Sequence, residues 1–319
     1  MIYGNDAVLQ LIQKMAEREH LPHACLIYGE KGTGRKTIAD YLAMTALCTG
    51  EHAPCGNCPS CRKMRKGIHP DYIHVEHSGK KNGFSVETVR NVCRDAVIAP
   101  NDGSRKIYLF ADCDNIDSRS QNTLLKLTEE PPEHVLLMFT AVQKNVFLDT
   151  MLSRMMLFAV RPCTAEECFQ ALTQEHECPP AEAERAVQTC GGNIGKCLDW
   201  LENEEMQELT RQTAMLTDAV SARRHYEVLR ILAQFEKDRQ KTAVLLEYFD
   251  IQLRDAIIMK YGQCDRMGCD KTSAERLSAV LTLSSFQRMH EAVRTAYNAL
   301  QANVSVKLVL ASLGGSLLS

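Results

Sequence analysis

The sequence has no run of eighteen apolar residues, so no helix of it is expected to span a bilayer. Its first residues, Met1 to Asp6, lack the basic-then-apolar order of a secretory signal. The chain is therefore expected to stay in the cytoplasm, without a membrane partner. A basic surplus is also missing, because 37 Lys and Arg against 40 Asp and Glu leave a formal charge of -3. A protein that grips nucleic acid unaided carries an excess of cations, so any contact with DNA is expected to be shared with partners. Proline is absent from residues 181–319, and only four glycines follow Trp200. Proline breaks helix interiors, and this tract is rich in Leu, Ala, Glu, Arg and Gln, so it is expected to be all-helical.

The 319 residues are enough for two or three domains with apolar interiors. The first half alternates helical and extended patterns. Val8, Leu11, Ile12 and Met15 share one helical face. Ala24–Tyr28 and Lys106–Ala111 read as buried strands, with Val135–Thr140 and Met156–Val160 as a third and a fourth strand. Helices are expected from about Lys36 to Leu47, after an N-cap at Ser85, and over 118–130, where Pro131-Pro132 should stop the chain. Strands alternating with helices imply a mostly parallel α/β sheet covered on both faces. Thr164-Ala165-Glu166-Glu167 is a capping box that should open a small helical segment.

Fourteen cysteines in a reducing compartment read as free thiols and metal ligands rather than disulfides. Cys48, Cys55, Cys58 and Cys61 have the spacing C-x6-C-x2-C-x2-C, with turn-forming Gly56, Asn57, Pro59 and Ser60 between the last three. Four thiolates satisfy tetrahedral Zn²⁺ and leave no open coordination position, so the expected site is structural. The same turn residues argue against buried, reduced cysteines. Arg62, Lys63, Arg65 and Lys66 follow at once and read as a solvated helix face. Cys264 and Cys269 read as ordinary thiols.

Gly29-Glu30-Lys31-Gly32-Thr33-Gly34-Arg35-Lys36-Thr37 follows a strand and opens a helix, the context of a phosphate-binding P-loop. Backbone N–H groups and the helix start can cradle phosphate there. The working motif places Lys and then Ser or Thr after the last glycine. Here Arg35 and Lys36 hold those positions and Thr37 comes one place late. One place turns a helix by about 100°, which re-aims a side chain away from the Mg²⁺-ligand role.

These motifs resemble the clamp-loader family of AAA+ proteins. The likeness rests on Leu21-Pro22-His23-Ala24-Cys25-Leu26-Ile27-Tyr28-Gly29 before the P-loop and on the cysteines just after its helix. It rests also on Gln121-Asn122-Thr123-Leu124-Leu125-Lys126-Leu127-Thr128-Glu129-Glu130-Pro131-Pro132, on Leu148-Asp149-Thr150-Met151-Leu152-Ser153-Arg154-Met155, and on Asn303-Val304-Ser305-Val306-Lys307-Leu308. It implies an AAA+-type domain over 1–162 with a zinc module at 48–61. A small helical lid over 163–205 and an all-helical collar over 206–319 would follow. The family's acidic Asp-Glu pair corresponds to Ala111 and Asp112, so one carboxylate is gone, and Asp114 is two residues late. Thr140 corresponds to the polar sensor. In the lid motif Gly192-Asn193-Ile194-Gly195-Lys196, the sensor arginine aligns with Gly195. The resemblance therefore places a degenerate nucleotide site at Gly29, Gly32, Gly34, Arg35, Lys36, Thr37, Asp112 and Thr140, with hydrolysis lost and ATP binding left open. Arg154 matches the arginine finger offered in trans to a neighbour's γ-phosphate.

The partners so implied are the ATPase subunits gamma or tau, a delta subunit, the sliding clamp and primed DNA, within the polymerase III replication assembly. Two other readings compete. An active gamma/tau-like ATPase would need Lys-Thr after Gly34 and Asp-Glu after the strand, and both are missing. A zinc-containing DNA-binding module would fit a basic chain, and this one is slightly acidic.

Overall fold

The computed structural model describes residues 2–79, 83–262 and 270–318. Cys264 and Cys269 lie outside the described residues. Internal contacts divide the chain into two units, Met1–Pro162 and Cys163–Ser319.

The first unit is built on a five-stranded parallel sheet. Its strands are β1 (Ala24–Tyr28), β2 (Tyr72–His74), β3 (Lys106–Phe110), β4 (Val135–Ala141) and β5 (Met156–Ala159), in the order β2-β3-β4-β1-β5. Its helices are α1 (Asp6–Glu17), α2 (Arg35–Leu47), α3 (Pro59–Arg65), α4 (Val86–Asp95), α5 (Ser118–Glu129) and the single turn α6 (Asp149–Leu152). The four expected strands are present to within a residue. The fifth, β2, is an addition. It is only three residues long and holds its place by pairing with β3, Tyr72 against Ile107 and His74 against Leu109.

Strand side chains alternate between faces, and here both faces are apolar. Leu26, Tyr108, Phe110, Leu137 and Phe139 pack with Val89, Val92, Leu124 and Leu127 of α4 and α5. The alternate residues Cys25, Ile27, Ile107, Leu109, Leu136 and Met138 pack with Ile12 of α1 and Ile38, Ala39 and Leu42 of α2. A row of rings, Phe84, Phe110, Phe139 and Phe147, runs under the first face at centroid spacings of 5.2, 5.0 and 5.5 Å. Two-sided burial explains why β1, β3 and β4 read as continuous apolar runs, while the edge strand β5 leaves Met156 and Leu157 exposed. Caps set the helix starts: Ser85 accepts from Thr88 N ahead of α4, and Asp117 from Ser120 N ahead of α5.

The second unit is helical throughout its described residues. Helices α7 (Ala165–Gln174), α8 (Pro180–Cys190) and α9 (Ile194–Glu202) enclose Cys168, Leu172, Ala183, Ala186, Cys197 and Trp200. The expected capping box of Thr164 and Glu167 opens α7. Helices α10 (Glu204–Ser221), α11 (His225–Ala233), α12 (Arg239–Tyr261), α13 (Lys271–Val280), α14 (Leu283–Gln301) and α15 (Val306–Leu318) share a separate core that includes Leu216, Leu245, Phe249, Leu253, Leu277, Val293 and Leu310. Asp238, Asp270 and Thr282 cap α12, α13 and α14. No described helix is long and apolar enough to cross a membrane.

Candidate functional site

In a parallel α/β sheet, ligands sit beyond the carboxyl ends of the strands. The loop after β1 occupies that position. Gly29 packs so closely on the end of β5 that a Cβ there would lie 2.1 Å from the Val160 carbonyl oxygen. Gly34 caps α2 with φ +88°, a conformation that favours glycine. Thr33 Oγ1 donates to Glu30 O at 2.8 Å and tightens the loop.

The side chains that follow turn onto one carboxylate. Arg35 is buried, and its Nη2 lies 3.0 Å from Asp112 Oδ1, while Lys36 Nζ lies 3.0 Å from Asp112 Oδ2. Asp112 itself takes a left-handed backbone, φ 50°, and its N–H donates to the buried Thr140 Oγ1 at 2.8 Å. Asp114 faces elsewhere, accepting from Val142 N at 2.6 Å. The structure thus brings Arg35, Lys36, Asp112 and Thr140 together. Thr37 is exposed one residue on. A magnesium–phosphate group needs open carboxylate and hydroxyl oxygens. Here both oxygens of Asp112 already face cations.

The four cysteines meet as their spacing predicts. Their sulfur atoms all lie within 4.8 Å of one another, and Cys58 and Cys48 are 4.0 Å apart. A tetrahedron with metal–sulfur bonds of about 2.3 Å has edges of about 3.8 Å, so small shifts would bring the set onto one ion. Backbone N–H groups of Gly50 and Cys55 point at Cys48 Sγ, that of Cys58 at Cys55 Sγ and that of Cys61 at Cys58 Sγ, over 3.3–3.4 Å. Such donors stabilise thiolates. Burial opposes ionisation of Cys58, but N–H bonds from Cys61 and Thr49 outweigh it and hold the thiol down at about 5. Burial, then the Cys58 sulfur, push Cys61 up to about 12. One sequence expectation is corrected here. Cys61 and Gly56 are buried despite the turn residues around them, because the module folds onto the side chains of α3. Gly56 takes φ +75°, and a Cβ there would lie 2.7 Å from Arg65 Nη2. The basic run is mostly exposed as expected, with Lys63 paired to Asp102.

Arg154 follows α6. Its Nη1 donates to Thr150 O at 2.6 Å and to Ser153 Oγ at 3.3 Å, and its Nη2 lies 2.9 Å from Glu129 Oε1. The side chain keeps 35% of its exposure. Gln121 ties α5 to this region, donating to Val146 O at 2.9 Å and accepting from Leu148 N at 2.7 Å. In the second unit, Asn193 caps α9 by accepting from Lys196 N at 3.1 Å. Gly192 lies against Cys163, where a Cβ would come within 1.6 Å of the carbonyl oxygen. Two acidic residues of the first unit were missed in the sequence. Glu129 pairs with Arg154. Asp71 is fully buried and accepts from Asn101 N, Asn101 Nδ2, Asp102 N and Gly103 N at 2.6–3.1 Å. A carboxylate after the buried His69 and the exposed Pro70 carries no local signal of such a role. Glu129 did carry one, since it closes a helix where a cation is favoured.

A family model described as "DNA polymerase III, delta subunit" matches residues 4–164. The chain is 24% identical over 266 residues to the DNA polymerase III subunit delta' of Bacillus subtilis, covering 82% of this chain and 79% of that one. It is 30% identical over 186 residues to the delta' subunit of Pseudomonas aeruginosa, covering 57% of each. It is 32% identical over 168 residues to the DNA polymerase III subunit tau of Escherichia coli, covering 52% of this chain and 26% of that one. With more than half of the sequence inside that model, the chain belongs to the clamp-loader family of DNA polymerase III delta-type subunits.

Proposed function

We propose that this chain is the delta-prime subunit of a clamp loader, a stationary member that lends Arg154 to a neighbouring ATPase and hydrolyses no ATP of its own. The observation that carries the reading is the capture of Asp112 by Arg35 and Lys36. The two cations stand where the working motif has its lysine and its magnesium hydroxyl, and they neutralise the remaining acid of the acidic pair. Loose binding of nucleotide at Gly29, Gly32, Gly34 and Thr37 stays compatible with this arrangement; efficient metal-assisted hydrolysis does not.

Arg154 acts outside its own unit in this reading. A guanidinium presented to a neighbour's γ-phosphate stabilises the charge that develops on the transferring group. ATP-bound neighbours gain that contact and ATP-free ones do not, so the chain biases the assembly toward the state that opens the sliding clamp. The partners are a delta subunit, gamma or tau ATPase subunits, the clamp, and primed DNA reached through the complex. Residues 163–205 serve as the lid and 206–319 as the collar. The separate apolar cores of α7–α9 and α10–α15 support that division. The cysteine module holds one Zn²⁺ in a closed structural site, supported by the mutual approach of its four sulfur atoms.

The test is reconstitution with cognate partner subunits, with Arg154→Ala compared against the unmodified chain. Removing a finger costs roughly 10³–10⁵-fold at the site it serves. The complex should therefore lose one site's share of ATP turnover together with clamp loading. Unchanged turnover and loading would refute the assignment. A gamma/tau-like ATPase is the second reading, prompted by the tau match. It requires magnesium-dependent ATP turnover by the pure chain.

A further inference from the structure

Glu129 and Glu130 stand at the C-terminal end of α5 against a local rule. The end of a helix carries a partial negative charge, which favours Lys or Arg and disfavours carboxylates. A broken local rule points to a demand from elsewhere in the fold. For Glu129 that demand is visible: its Oε1 lies 2.9 Å from Arg154 Nη2 and ties the last turn of α5 to the segment after α6.

The guanidinium is held from several sides. Nη1 donates to Thr150 O and Ser153 Oγ, and Nη2 lies at ion-pair distance from Glu129. A guanidinium has five N–H donors. Nε and Nη2 make no hydrogen bond among the described residues, and Nη2 meets Glu129 as an ion pair. The group is therefore fixed in orientation and still carries donors for an incoming anion. A long side chain loses rotamer freedom when it is fixed, and fixing it beforehand removes that loss from the reaction. A half-exposed ion pair is also weak by itself, too weak to withhold the arginine from a phosphate.

We propose that Glu129 is the positioning residue of the trans-acting arginine, holding the Arg154 guanidinium in its delivering orientation before the neighbour's phosphate arrives. This rests on the arginine-finger reading above. The demand is specific to position 129, because Glu130 caps α5 and makes no ion pair among the described residues.

The experiment uses the complete complex assembled with cognate partner subunits, and its signal is the part of the ATP turnover that Arg154→Ala removes. Glu129→Ala should lower that part roughly two- to fivefold, the range expected for one half-exposed charge pair. The fall should appear in kcat, with KM for ATP unchanged and assembly by gel filtration unchanged. Glu129→Gln, which keeps an acceptor oxygen at the same reach, should recover part of the loss. A merely structural role would lower the melting temperature or the yield of complex and leave turnover per assembled complex alone. If Arg154→Ala costs nothing, the finger reading fails and this proposal with it. If Arg154→Ala is costly while both Glu129 variants equal or exceed the unmodified complex, only the role of Glu129 is wrong.

Discussion

Asp71 receives more hydrogen bonds than any candidate catalytic group of this chain. Three backbone N–H groups and the Asn101 amide converge on its carboxylate and hold the turn at 101–103 against the edge of the sheet. Burial by itself would raise its pKa; the N–H bonds from Asn101, Gly103 and Asp102 outweigh burial and bring it below the ordinary carboxylate value. A folded-state pKa below the unfolded one means that the stabilisation is complete above about pH 4 and is lost as pH falls through the depressed value. The neutral variant Asp71→Asn should therefore lose about 2–3 kcal/mol near pH 7, because hydrogen bonds to a charged acceptor vanish and an amide donor faces N–H groups. Urea unfolding at pH 7 and at pH 3 checks this, with the difference between variant and parent shrinking at the lower pH. Arg35 and Arg154 illustrate how one residue type serves two ends. Arg35 is buried against Asp112, 77 positions away, and its Nη1 is buried without a hydrogen-bond partner among the described residues. Arg154 is half-exposed beside Glu129, and in the proposed function its remaining donors meet a neighbour's phosphate.

Elements set where such side chains stand, and two of them make predictions. The loop from β1 to α2 depends on the bare Gly29, since a Cβ would press into the Val160 carbonyl. Gly29→Ala should cost about 1–3 kcal/mol, the usual range for forced overpacking, visible as a lower urea midpoint with a normal slope. The module between α2 and α3 depends on its sulfur cluster. Metal analysis should find one zinc per chain, and Cys58→Ser should reduce it. A strong chelator should lower the melting temperature by roughly 2–4 °C for each kcal/mol lost, because the four cysteines then have no ion to bridge them. An unchanged melt after complete metal removal would show that the module stands without it. The cysteine set was legible because its spacing is local and its chemistry narrow. Strand β2 was not, because three residues show no period, and Tyr72–His74 become a strand only by pairing with β3 more than thirty positions later.

At the scale of the molecule, the proposed function reads three separate departures together: Arg35 and Lys36 after the last loop glycine, Ala111 where an acid is expected, and Gly195 where a lid arginine is expected, which lie far apart in sequence. On that proposed reading hydrolysis is lost, so the pure chain should turn over ATP with magnesium no faster than a sample lacking protein. A phosphate-release assay measures this, and turnover typical of an ATPase would overturn the proposed function. The boundary at Pro162 and Cys163 separates an α/β unit from a helical one. The loss of proline after Pro180 and of glycine after Trp200 falls inside the helical unit, where their scarcity lets long helices such as α12 and α14 persist.

Local chemistry determined much of this protein without any structure. Buried strands, helix caps, the four-cysteine spacing and the glycine loop followed by Arg35 and Lys36 each depend on neighbours a few positions away, and a short window of sequence holds them whole. Pairings over distance were decided only by the fold. Nothing near Arg35 or Lys36 names Asp112 as their counter-ion, nothing near Glu129 names Arg154, and nothing near Asp71 names the turn at 101–103. A charge finds its partner through the geometry of the sheet and the helices packed on it, and that geometry is the sum of contacts no single segment contains.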